Sequence, residues 1–138
     1  MNAKLVAILV ASHVVTLVAG LWLGVELVRR LSHFGDMEQL ALSQGTASAA
    51  FKEAPGDAAR EILLRNLELL DRLGPSALPA TELAVDRLVT LTRLSKVETT
   101  AGRIEQAADY RAKAQRVCED AKWRDCSDQA MDRLISKH

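Results

Sequence analysis

Residues Leu5 to Val25 carry no formal charge and are almost entirely aliphatic. At a rise of ~1.5 Å per residue, a helix over this segment would reach roughly 32 Å, enough to cross a hydrocarbon layer of about 30 Å. The segment therefore predicts one amino-terminal transmembrane helix, closed on the far side by Trp22, Glu26, Arg29 and Arg30. A cleaved signal peptide would need a shorter apolar run and a nearby small-x-small site. Met1-Asn2-Ala3-Lys4 supplies a basic start, but the nearest Ala-x-Ala is Ala47-Ser48-Ala49, well past the apolar end. The reading is an uncleaved anchor.

Within the segment, Ser12, Thr16, Gly20 and Gly24 recur every four residues and share one helical face. Lipid tails remove the hydrophobic drive between helices, so helices associate there where small residues let backbones approach. This face, with His13 beside it, is the candidate membrane helix–helix interface. Its partner would be a copy of the chain or another membrane protein subunit. The neutral imidazole of His13 serves better as a hydrogen-bonding contact than as a proton relay.

Flanking charge does not orient the segment, because the amino terminus and Lys4 balance Arg29 and Arg30. Cys118 and Cys126 are the only cysteines. On one continuous helix they would lie about 12 Å apart, beyond disulfide reach. A turn over Lys122-Trp123-Arg124-Asp125 would bring them together, with Asp125 or Ser127 capping the next helix. The alternative is a reduced pair, with one thiol packed beside Val117. The bonded reading implies an oxidising compartment and so a carboxy-terminal domain outside the cytoplasm; the localisation expected is a bacterial inner membrane with that domain in the periplasm. Two thiols with only His138 nearby do not make a zinc site, and no other metal or cofactor is expected.

Past residue 30 there are 15 Lys or Arg and 17 Asp or Glu, interspersed in sign. No basic block or aromatic-studded stripe supports nucleic-acid binding. Ala, Leu, Arg and Glu dominate, which is helical composition. The fold expected is all-α: an anchor over 1–30, a helical stalk and joint over 31–55, and a bundle of helical hairpins over 56–138. The stalk would carry Leu27, Leu31, Phe34, Met37 and Leu40 on one face. The small residues 43–50 make either a flexible joint or a close helix contact. Asp57 caps a helix to Leu73 with Ala59, Leu63, Leu67 and Leu70 inward, ended by Gly74-Pro75. Thr81 caps the next, to Val97, with Val85, Leu88, Leu91 and Leu94 inward. The helix over 103–121 turns Ile104, Ala107, Tyr110, Ala114, Val117 and Cys118 inward. A short helix with Ala130, Met131, Leu134 and Ile135 closes the chain.

Residues 91–114 resemble a single tetratricopeptide repeat. Leu94-Ser95 stand at its Leu-Gly/Ala pair, Gly102 at the turn, and Ala107 and Ala114 at the two small positions of its second helix. Glu98 and Arg111 replace aromatics of that pattern, and no proline follows Cys118. The resemblance implies protein–protein binding. Scattered histidines, and serines without a His and carboxylate partner, give no enzyme site. The expectation is a non-enzymatic interaction or assembly subunit of a membrane or envelope complex, contacting lipid and another subunit. The alternative is an envelope sensor or regulator with a redox- or ligand-responsive helical domain.

Overall fold

The computed structural model describes residues 3–137, with side chains described for 13–136. The described residues are all-α: α1 (Ala3–Glu53), α2 (Gly56–Ala77), α3 (Ala80–Thr100), α4 (Ile104–Asp120) and α5 (Asp128–Lys137). The chain divides into two units, Met1–Gly35 and Asp36–His138.

In Met1–Gly35 the large apolar side chains from Val14 to Phe34 are exposed on every side of the helix. Among the described residues no helix is long and apolar enough to cross a membrane. The apolar run at 5–25 begins within 1–12, whose side chains lie outside the described residues. Its remainder, 13–25, spans only about 20 Å as a helix.

Asp36–His138 begins with the end of α1. Residues 43–50 are helical, with Ala47 and Ala50 buried, so the small residues make a close helix contact and not a joint. Ala47 packs with Ala59 and Leu63 of α2 and with Leu94 and Val97 of α3. Of the expected stalk stripe only Leu40 is buried, against Leu70, Ala77 and Leu83. Leu27, Leu31, Phe34 and Met37 stay exposed.

Helices α2 and α3 run antiparallel, pairing Arg60 with Glu98, Asn66 with Thr90 and Asp71 with Arg87. The turn between them is tight because Gly74 is buried against Leu83; a Cβ added there would run into Leu83 Cδ1. Contrary to the sequence expectation, α2 does not end before Pro75 but runs on to Ala77. In the last turn proline removes only one helical donor, and Leu78 N–H closes the end on the Gly74 carbonyl at 2.9 Å. The caps also differ. Pro55 and Pro79 occupy the N-cap positions of α2 and α3, leaving Asp57 and Thr81 inside the helices.

Helix α3 extends past Val97 to Thr100. It ends with Gly102 at φ +75°, a region open to glycine without strain. Helix α4 ends the same way, but Lys122 takes the corresponding left-handed position at φ 55°. In each case the next amide reaches back, Arg103 N–H to the Glu98 carbonyl at 2.9 Å and Trp123 N–H to the Cys118 carbonyl at 3.2 Å.

The core is built around α3. Its residues 88–95 are buried without interruption, since α1, α2, α4 and α5 each pack on a different side. Threonines tolerate this because Thr90 and Thr92 hydroxyls donate to the carbonyls of Asp86 and Leu88 four residues back. On α4, Ala107, Ala114 and Cys118 face inward and Tyr110 and Val117 are half-buried. Ile104 is exposed, a departure from the expected stripe; in the first turn of α4 it borders an open cleft with Thr99 and Thr100.

Candidate functional site

Three features carry chemistry: the open face of α1, the polar clamps that hold the bundle, and the disulfide at its carboxy-terminal end.

On α1, His13 and Thr16 are exposed, and a Cβ added at Gly20 or Gly24 would meet nothing within 4 Å. Thr16, Gly20 and Gly24 line a shallow apolar groove together with Leu17, Leu21 and Val25. Ser12 shares their face in sequence, but its side chain lies outside the described residues. The face ends at Glu26, which accepts a hydrogen bond from Arg30 Nε at 3.1 Å and pairs with Arg29 at 3.9 Å. These partners offset the cost of a carboxylate at the edge of an apolar stretch.

In the bundle, Glu98 is fully buried and bridges three elements. Arg60 Nε donates to its Oε1 at 2.5 Å from α2, and Arg103 Nε donates to its Oε2 from the turn before α4. Arg103 also reaches Asp57 Oδ1 at 3.1 Å. Burial pushes the Glu98 carboxyl up, but the hydrogen bonds and charges of Arg103 and Arg60 outweigh it and hold the group below its ordinary range.

A second polar seam joins α1, α2 and α3. Ser43 Oγ donates to Asn66 Oδ1 at 2.7 Å, and Asn66 Nδ2 donates to Thr90 Oγ1 at 2.9 Å. Arg93, almost fully buried, donates to Ser48 Oγ at 3.2 Å and lies 5.4 Å from the Phe51 ring centre. Its Nε is buried without a partner, and burial pulls its pKa below the usual guanidinium value. The apolar spacing of α2 and α3 marks neither Asn66 nor Arg93 as inward. The signal for both is their position beside the small residues Ser43, Ala47 and Ser48, which admit a close neighbour.

Cys118 and Cys126 form a disulfide with their Cα atoms 5.8 Å apart. Lys122 makes the turn, and Ser127 caps α5, its Oγ accepting from Ala130 N–H at 3.3 Å. Asp125 Oδ1 accepts from Ser127 N–H at 2.9 Å. Cys118 is buried with Leu88, Leu91, Ala114 and Met131, so the bridge ties α5 into the core. Two ion pairs on one face of α5 add to it: Asp128 with Arg111 at 2.6 Å, and Asp132 with Lys96 at 3.1 Å.

Among the described residues no group of His, Cys, Asp or Glu is arranged to hold a metal ion. No family model, curated protein or solved structure matches the chain.

Proposed function

We propose that this chain is a single-pass, membrane-anchored interaction subunit of a membrane or envelope complex. The observation that carries the reading is the apolar surface exposed all round α1 from Val14 to Phe34, which continues in sequence to Leu5. Removing one such side chain from water stabilises by about 1.5–3 kcal/mol, so a dozen of them strongly favour lipid or protein surroundings. The open Thr16/Gly20/Gly24 face then meets another subunit or a second copy, with Ser12 and His13 beside it. The helical bundle, with its tetratricopeptide-like hairpin of α3 and α4, faces the periplasm, where the Cys118–Cys126 bridge is stable.

Alkaline carbonate washing of membranes from expressing cells tests the anchor. The chain should stay in the pellet, and release into the supernatant at full length sinks the reading. After extraction in mild detergent it should migrate with a larger complex, and Gly20→Leu should dissociate it. A lone monomer unaffected by Gly20→Leu refutes the assembly role. The sensor reading rests on the bridge alone, of which Cys118 is buried and Cys126 half-buried.

A further inference from the structure

Helices α2, α3 and α4 enclose an open cleft of about 430 Å³. Its apolar floor is Leu67, Leu91 and Val117, the outer edge of the core that contains Cys118 and Met131. Its rim carries three cations, Arg87, Lys113 and Arg116, against one carboxylate, Asp71. That balance is local, for the whole chain has formal net charge +0. The three cations are committed to different degrees. Arg87 pairs with Asp71 at 2.8 Å, and Lys113 pairs with Asp109 at 2.6 Å. Arg116 makes only a long hydrogen bond of 3.4 Å to the Ala112 carbonyl of its own helix. Arg87 and Val117 also line a second cleft of about 350 Å³ toward Ala80 and Ala84, which carries the carboxylate of Asp120, so the two clefts adjoin at Arg87. There the Arg87 Nε is buried without a hydrogen-bond partner.

We infer that this groove docks an acidic, amphipathic peptide segment of a partner protein. An aliphatic or aromatic side chain of the segment covers Leu67 and Val117, and its carboxylates meet Arg116 and Arg87. A guanidinium binds a carboxylate through paired, charge-assisted hydrogen bonds, and the low polarity of the floor beside it strengthens them. A basic segment would set like charge against Arg116, and a neutral one would leave Arg116 desolvated without a carboxylate, which selects against both. The inference rests on the reading of the chain as an interaction subunit and gives the chemistry of what that subunit holds.

The test presents a library of random 12-residue peptides to the full chain in detergent micelles. Enriched peptides should be net acidic with at least one large apolar residue. Binding of the best of them, read by fluorescence anisotropy, should weaken at least tenfold with Arg116→Glu and fall steeply with added salt. Arg116 is exposed and tied only to its own helix, so that variant keeps the fold, which circular dichroism verifies; Arg87→Gln should weaken binding independently. Enrichment of neutral or basic peptides, no enrichment, or equal binding by the Arg116→Glu chain overturns the inference. So does sedimentation showing that the chain alone forms a dimer that Arg116→Glu dissociates, since a second copy then fills the groove. A chain released by carbonate that still selects acidic peptides fails as an anchored subunit and keeps its groove; a membrane-retained chain without that selection loses the groove alone.

Discussion

Arg103 holds Glu98 twice. Its backbone N–H donates to the Glu98 carbonyl at 2.9 Å, and its guanidinium donates to the Glu98 carboxylate. One residue thereby terminates α3 and fixes the side chain that receives Arg60 from α2. Removing the carboxylate charge with Glu98→Gln should cost about 1–2 kcal/mol at pH 7. This is the low end for buried charged hydrogen bonds, because the arginines are about a third exposed and water screens them. The folded-state pKa of Glu98 is depressed, so its contribution is complete above the ordinary value of 4.5 and fades as pH falls through the lower, folded value. Urea denaturation at a series of pH values should show the gap between wild type and variant narrowing as pH falls below 4.5; a gap that does not change with pH counts against the clamp.

The matched ends of α3 and α4 give a second prediction. Lys122 occupies at φ 55° the position that Gly102 occupies at φ +75°. Lys122→Gly should raise stability by about 0.5–1 kcal/mol, and Gly102→Ala should lower it by about 1 kcal/mol. Thermal melts of the two variants should move in opposite directions.

The disulfide closes a loop of 8 residues in sequence separation, for which chain entropy gives about 2–3 kcal/mol. The double variant Cys118→Ala/Cys126→Ala should lose this much. The ion pairs at Asp128 and Asp132 are partly solvated, each worth about 1 kcal/mol or less, and are too weak to replace it. Hydrogen exchange should rise first in α5 and last in α3. Uniform exchange across all helices would contradict the bridge as a local tether.

Arg93 is a buried cation with one long hydrogen bond and a ring contact. Replacing such a group by an apolar side chain of similar length relieves desolvation, while losing the contact to Phe51 costs about 1 kcal/mol. Arg93→Met should therefore raise stability by about 1 kcal/mol. A loss of 2 kcal/mol or more in denaturant would show that the guanidinium is better satisfied than its partners indicate.

Much of the fold is legible in the sequence wherever apolar spacing meets a single neighbour. Ala59, Leu63 and Leu70 face inward on α2, as do Ala107, Ala114 and Cys118 on α4. Helix α3 defeats that reading. Val85, Leu88, Leu91 and Leu94 mark one side, but Thr90, Thr92, Arg93, Ser95 and Glu98 are also buried. They look like a solvent face because burial by several helices leaves no polar stripe, and their polar atoms find partners that spacing cannot reveal. Ser95, for instance, donates to the Ala107 carbonyl at 2.9 Å across the hairpin. The turn at Pro75 is misread for a different reason: proline costs a helix one donor and crowds the carbonyl four residues back, yet α2 bears that cost near its end and stays helical to Ala77. The candidate sites divide similarly. The spacing of Gly20 and Gly24 is read directly from the sequence, and a turn that lets Cys118 meet Cys126 is one of the two readings it allows, whereas the groove at Arg87 needs three helices in place.

The continuous burial of residues 88–95 leaves α3 no polar stripe facing water over those two turns. A substitution scan along 88–95 should therefore lack the three-to-four-residue rhythm of tolerance that an amphipathic helix shows, because every position there answers to some partner.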